Sequence, residues 1–250
     1  VIPALASFAD EAVLLAGGGR AILLQLADPA IGHAVAEHSD FANDPLKRLR
    51  NTLTYIYALV YGTPEQVAAV RKMVQLAHAP VRSPRYDASD PALQLWVAAT
   101  LYETSVALYE RLVHPLDETQ ADAVYREYAV IGTALGMPRD LWPASRQAFA
   151  EYWDAKVAAL GVDDTVRAVG EQLLHPRSGP LWMRAAMPLV RLATAGQLPV
   201  ALRAAYRLEF DQRRYDRLMR VTAAVYPRLP RMLRRAPRVH YLRRLSRTAR

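Results

Sequence analysis

The side chains best suited to chemistry fall between Pro45 and Val81. Arg48, Thr52 and Tyr55 recur at i, i+4 and i+7, so one helical face carries a guanidinium, a hydroxyl and a phenol. The Gly62-Thr63 turn then reverses the chain. At about 1.5 Å per residue His78 stands roughly 22 Å beyond that turn, level with Arg48 at roughly 21 Å before it. The spacing predicts an antiparallel helical hairpin with an imidazole facing the Arg48 face. Val74, Leu76, Ala77 and Val81 surround His78 in sequence. In such company an imidazole is either a packed, hydrogen-bonded core group or a ligand. An imidazole on one side and small polar donors on the other are the groups by which proteins tune a bound haem iron.

Other chemistries lack their signatures. The chain has no Gly-x-Ser-x-Gly elbow, no His-Glu-x-x-His helix and no Walker lysine loop. Gly17-Gly18-Gly19 follows a helical pattern and leads to no Lys-Ser/Thr pair, so it reads as a helix C-cap and close-packed turn. Asp163-Asp164 is followed by no third acid of a magnesium motif. Glu110/His114 and Glu171/His175 are four apart, not the three of a di-iron bundle, and each histidine precedes a proline, as helix-capping histidines do. Cysteine is absent, which removes disulfides, thiolate ligands and a cysteine nucleophile.

The elements that must position these residues are helices. Apolar residues recur at helical spacing almost throughout, and alternating β-branched runs are hard to find. Asp28-Pro29, Asp44-Pro45, Thr63-Pro64 and Asp90-Pro91 each place a capping side chain before a proline that suits the first helical turn. The pattern predicts an all-α fold, one domain over residues 1–250. Its helices are expected at 5–16, 20–26, 29–37, 45–61, 64–79, 91–113, 118–135, 144–160, 164–174, 181–194, 199–210 and 211–226. Pro227, Pro230 and Pro237 are expected to break the last stretch.

A chain that is 52% hydrophobic and 22% charged is globular rather than disordered. No apolar run approaches the roughly 18 residues of a membrane span. No signal-peptide pattern is visible, so the expectation is a cytoplasmic protein. The net charge of +8 arises in the segment 228–250, which holds nine arginines and no acid; the remainder is nearly neutral. Leu229, Met232, Leu233, Val239, Leu242 and Leu245 interleave with those arginines, a pattern that suits either peripheral contact with a membrane or packing on the protein itself. A basic segment of this kind does not by itself make a nucleic-acid-binding fold.

One ordered set of residues carries a family resemblance. It comprises Gly18-Gly19-Arg20-Ala21 with Leu24-Gln25, Ala36-Glu37-His38-Ser39 with Phe41, Asp44-Pro45, Arg48 with Thr52, Tyr61-Gly62, His78 with Val81, and Asp90-Pro91 with Leu93 and Trp96-Val97. In order and spacing these resemble the mycophenolic-acid oxygenase B and latex-clearing protein (rubber oxygenase) superfamily, over roughly Ala16 to Trp153. The resemblance implies a helical domain holding one haem b, whose iron serves oxygen-dependent cleavage of isoprenoid carbon-carbon double bonds. By motif His78 would be the proximal iron ligand, and Arg48 and Thr52 the distal pair. Asn51 stands where the latex-clearing motif has lysine, and Ala98 where many relatives carry histidine. Glu37 is the nearest candidate for a catalytic base; its other reading is a solvated acid at a helix end.

The expected partners are therefore dioxygen and an apolar unsaturated substrate, in a pocket lined by Tyr55, Leu59, Leu93 and Trp96 beside the haem. Two other classes fit the same residues. One is a haem-binding protein without turnover. The other is a helical interaction module whose basic tail meets a membrane or nucleic acid.

Overall fold

The computed structural model describes residues 3–38, 45–83, 86–176 and 180–248. Among them the chain is helical, as its periodicity requires. The first half holds α1 (Pro3–Phe8), a 3₁₀ turn (Ala12–Gly17), α2 (Gly18–Leu26), α3 (Pro29–His38), α4 (Pro45–Tyr61), α5 (Pro64–His78) and α6 (Pro91–Leu112). There follow α7 (Glu118–Tyr128), α8 (Val130–Thr133), α9 (Arg146–Ala158), α10 (Asp164–Leu174), α11 (Leu181–Gln197), α12 (Val200–Ala205), α13 (Gln212–Val225), α14 (Arg231–Arg234) and α15 (Ala236–Thr248). A small antiparallel ribbon, β1 (Arg82–Ser83) and β2 (Tyr86–Asp87), joins α5 to α6 and has no counterpart in the sequence reading. Among the described residues, no helix is long and apolar enough to cross a membrane.

Local chemistry sets the helix starts. The Thr63 hydroxyl accepts from the Gln66 N–H while the Gln66 side chain accepts from the Thr63 N–H, a reciprocal capping box that starts α5. Asp117 and Gln120 do the same for α7. Asp90, Ser145, Asp163 and Asp211 each accept a backbone N–H of the first turn of their helices. Asp44, the expected cap of α4, lies outside the described residues.

Several boundaries differ from the periodicity. The helix expected over 5–16 is broken at Ala9–Glu11, because Asp10 and Glu11 turn towards arginines of the C-terminal segment. The one expected over 118–135 ends at Tyr128 and restarts at Val130. The one expected over 199–210 stops at Ala205, and Arg207 then takes a positive φ of 54°. Pro237 does not break the last stretch; it sits in the first turn of α15, where its missing N–H costs nothing. The glycine run closes one helical element and opens the next: Gly17 ends the 3₁₀ turn, the Gly18 N–H caps it on Leu15 O, and Gly18 and Gly19 open α2.

The core is organised around α6. A Cβ on Gly17 would collide with Thr104 of α6, and one on Gly19 with Thr194 Oγ1 of α11, so α2 can lie this close only where side chains are missing. Gln25 donates to Thr100 Oγ1 at 2.9 Å, the indole N–H of Trp96 donates to Leu24 O at 3.2 Å, and buried Arg20 pairs with Glu103 and donates to Thr104 Oγ1 at 3.1 Å. On the other side of α6, the Tyr102 ring lies edge-on to Tyr125, Tyr128, Trp142 and Phe149, with centroids 4.9 to 5.9 Å away.

The basic C-terminal segment packs on the body. Asp10 receives Arg235 Nε at 2.5 Å and Arg238 at 2.9 Å, and Glu11 receives Arg234 Nε at 2.8 Å and the Tyr226 hydroxyl at 2.7 Å. Tyr241 stacks on Tyr57 of α4 at 5.9 Å. Leu245 reaches the core, while Met232 and Leu233 remain exposed.

Two outcomes follow from this packing. Gly19→Ala should cost about 1–3 kcal/mol in urea unfolding through overpacking. Thr194→Ala in the same chain should recover part of that loss, because it removes the hydroxyl and leaves Thr194 Cβ, 3.2 Å from the added methyl, as an ordinary tight neighbour. Additive losses would contradict this packing.

The second concerns alkaline pH. Burial pushes the Tyr102 phenol up to about 12 and raises Tyr55, Tyr128 and Tyr206 as well. In the unfolded chain these ionise near 10. Above that pH the unfolded state holds fewer protons than the folded one, so each such phenol removes about 1.4 kcal/mol per pH unit. Stability should be independent of these phenols below about pH 10 and fall steeply between about 10 and 12. Phenolate absorbance should rise together with loss of helical circular dichroism; complete ionisation in a still-helical protein would contradict the burial.

Candidate functional site

The α4–α5 hairpin forms as the spacing predicts, with α5 packed along α4. Arg48 and His78 therefore lie at the same open end of the hairpin, away from the Gly62-Thr63 turn. The backbone of Arg48 belongs to α4; its side chain lies outside the described residues, as do Ser39, Phe41 and Asp44 of the motif set. His78 is half-buried in the last turn of α5. Its carbonyl accepts the Val81 N–H at 2.9 Å, which turns the chain into β1. Glu37 is exposed in the last turn of α3, and α3 touches β2.

The other residues of α4 separate around its axis. Thr52 is half-buried and faces a cavity of about 100 Å³ together with Leu49, Leu53, Ile56 and Tyr57. Thr104 and Ser105 of α6, Gly17, Gly18 and Tyr128 complete much of its wall. The Thr52 hydroxyl makes no hydrogen bond among the described residues. Tyr55 is buried on another side, where its hydroxyl donates to Ile131 O at 2.8 Å. Burial raises its phenol and the Arg71 cation of α5 lowers it, with burial the larger effect. Asn51 is half-buried on α4 and does not line the cavity.

Trp96 is part of the core. It is fully buried, its ring stands 5.3 Å from that of Trp153, and its indole N–H is spent on Leu24. The cavity beside Thr52 is lined by none of Tyr55, Leu59, Leu93 and Trp96. Periodicity had grouped Thr52 with Tyr55 because 3.6-residue spacing gives a face but not the neighbour that meets it. Thr104 and Ser105, by contrast, are not among the residues that the spacing singles out. Their sequence signal is the polar run Glu103-Thr104-Ser105 within the largely apolar α6.

The remaining histidines of interest have structural partners. His175 pairs with Glu171 at 2.9 Å as the cap of α10. His114 Nε2 lies 2.9 Å from the Tyr109 hydroxyl, and His33 Nε2 lies 2.7 Å from Asp163. Among the described residues no three His, Asp or Glu side chains gather as a metal-ligand cluster. A haem asks less of the protein, since it brings four nitrogen donors and needs only axial ligands. The half-buried imidazole of His78 fits that requirement. The cavity beside Thr52 is far below the roughly 300 Å³ at which organic-ligand sites begin. It is of a size for dioxygen or a few waters at about 30 Å³ each.

Comparison with known proteins gives a consistent result. Residues 5–224 match the family described as ER-bound oxygenase mpaB/B′/Rubber oxygenase, catalytic domain. The chain is 39% identical over 213 residues to an uncharacterised protein of Mycobacterium tuberculosis and to one of Mycobacterium bovis, covering 80% of this chain and 84% of each relative. No solved structure matches the chain.

The geometry separates the structural hydroxyl from the available one. Tyr55→Phe leaves the buried Ile131 carbonyl without its donor and should cost about 1–2 kcal/mol in chemical denaturation. Thr52→Val should stay within about 0.5 kcal/mol of the parent. Equal losses at the two positions would mean that the Thr52 hydroxyl is committed to the fold.

Proposed function

The chain belongs to the mpaB/rubber oxygenase catalytic-domain family, and from that membership we propose that it is a haem b-dependent oxygenase acting on an apolar unsaturated substrate of the isoprenoid class. The family is one of oxygenase catalytic domains. The observation that carries the finer reading is the α4–α5 hairpin, which sets His78 level with the Arg48-Asn51-Thr52 stretch.

In this reading His78 would hold the iron through one ring nitrogen of its neutral imidazole, and its second ring nitrogen would need a carbonyl or carboxylate to orient it. Arg48 supplies a fixed positive charge for a propionate or for developing negative charge on oxygen. Thr52 would supply a hydroxyl free to donate one hydrogen bond to dioxygen; the small cavity it faces is lined by no residue of α5. Asn51 would offer a neutral amide where the latex-clearing motif has a lysine cation. Glu37, exposed on α3, is the proton acceptor of this scheme. The haem, when bound, supplies the activation of dioxygen; the protein supplies ligation, charge and exclusion of water.

The test is an absorption spectrum of the full chain with haem supplied, beside His78→Ala. The expected result is a Soret band that shifts on reduction in the parent and is lost or altered in the variant. Thr52→Val should keep the parent's spectrum but lower turnover about five- to tenfold, the worth of one hydrogen bond, in oxygen uptake with a polyprenyl substrate. Absence of saturable haem binding by the parent would overturn the proposal. Haem binding without oxygen uptake would reduce it to a carrier.

A further inference from the structure

A second face of the molecule carries features that the oxygenase reading does not require. α11 and α13 flank an open cleft of about 980 Å³, and the Arg207–Asp211 loop contributes to its lining. Apolar side chains stand in water here. Leu181 and Trp182 are 79% and 68% exposed, and Leu189, Val221 and Val225 are each more than half exposed. Trp182 and Leu189, seven apart, share one side of α11; Val221 and Val225, four apart, share one side of α13.

The charge on this face is positive. Arg207, Arg214 and Arg217 line the cleft, and none has a side-chain partner among the described residues. Of the acids in the same lining, Glu171 is paired with His175 and Asp211 caps α13, which leaves Glu209 uncommitted. The asymmetry extends along the chain. Residues 181–250 hold 17 arginines and three acids, whereas residues 1–180 hold more acids than bases.

Arg207 follows the end of α12. Its φ of 54° lies in the left-handed region, which glycine enters freely and arginine enters only at a cost. The helix stop accounts for it: the Arg207 N–H donates to Ala204 O and the Leu208 N–H to Arg203 O, which closes the C-terminus of α12 and leaves the Arg207 side chain at the cleft.

We propose that the α11–α13 face docks on an anionic lipid bilayer. Trp182, Leu181 and Leu189 enter the interfacial region, and Arg207, Arg214 and Arg217 meet the headgroup phosphates. Exposed apolar side chains flanked by arginine complement a surface that is hydrocarbon beneath and negative above. Tryptophan suits the level between the two. A nucleic acid would engage the arginines yet leave Leu181, Trp182 and Leu189 in water. The surface is distinct from the C-terminal segment, where Arg234, Arg235 and Arg238 are held by Asp10 and Glu11.

The experiment is flotation of the full chain with phosphatidylcholine vesicles, with and without phosphatidylglycerol, followed by tryptophan fluorescence. The expected result is binding to the anionic vesicles alone, weakened by added salt, with a blue shift that Trp182→Phe abolishes. Arg214→Glu with Arg217→Glu should weaken binding at least tenfold at unchanged melting temperature. Arg207→Gly should weaken binding while leaving the fold no less stable, a split that a structural role would not produce. No vesicle binding would overturn the proposal. So would binding that survives these changes but is lost in Arg243→Glu with Arg244→Glu, which would place the contact on α15. Salt-sensitive binding to duplex DNA without any binding to vesicles would assign the face to nucleic acid instead.

Discussion

The close approach of α2 to α6 is the constraint on which the rest of the structure depends. Gly17, at the end of the 3₁₀ turn, removes the side chain that would meet Thr104 of α6, and Gly19 of α2 the one that would meet Thr194 of α11. The short distance then lets Gln25 reach Thr100, Arg20 reach Glu103 and Thr104, and Trp96 reach the Leu24 carbonyl. Buried polar groups are costly unless paired, so these bonds fix one register of the two helices. Gly18-Gly19-Arg20-Ala21, Leu24-Gln25 and Trp96 are also among the motif residues of the family resemblance. Their role here is architectural: they join α2 to α6 in the core.

The hairpin itself is braced from several sides. Tyr61 donates to the Ala6 carbonyl of α1, Tyr55 donates to Ile131 of α8, and Tyr57 stacks on Tyr241 of α15. The turn end is thereby fixed by hydrogen bonds and ring packing. At the open end His78 keeps a half-buried ring. A hairpin rigid at one end and accessible at the other suits a ligand site, because preorganised donors lose little freedom when a ligand arrives. The acids that break α1 from the 3₁₀ turn serve the same bracing, since Asp10 and Glu11 hold the arginines that bring α15 onto α4.

Much of this was legible in the residues, and what was illegible has a common cause. Thr63-Pro64, Asp90-Pro91 and Asp28-Pro29 mark true helix starts, because a cap and a first-turn proline are local devices that need no tertiary partner. The break at Ala9–Glu11 depends on arginines more than two hundred residues away, and no local window contains them. The same holds for the site. The hairpin and the level of Arg48 and His78 follow from helix geometry and one turn. The cavity beside Thr52 is built with Thr104, Ser105 and Gly17 from elements far along the chain.

By itself the sequence determined the all-α class, the capped starts of most helices, the hairpin between Pro45 and Val81, and the family to which the ordered motifs point. Those are properties of residue type and short spacing, which a chain carries before it folds. Only the tertiary structure decided that Thr52 turns to a cavity while Tyr55 binds α8, and that Trp96 is core. It also decided that three C-terminal arginines are neutralised at home while Arg207, Arg214 and Arg217 stand open beside exposed apolar residues. Periodicity fixes which residues share a side of their own helix; which neighbour meets that side is settled only when the helices pack.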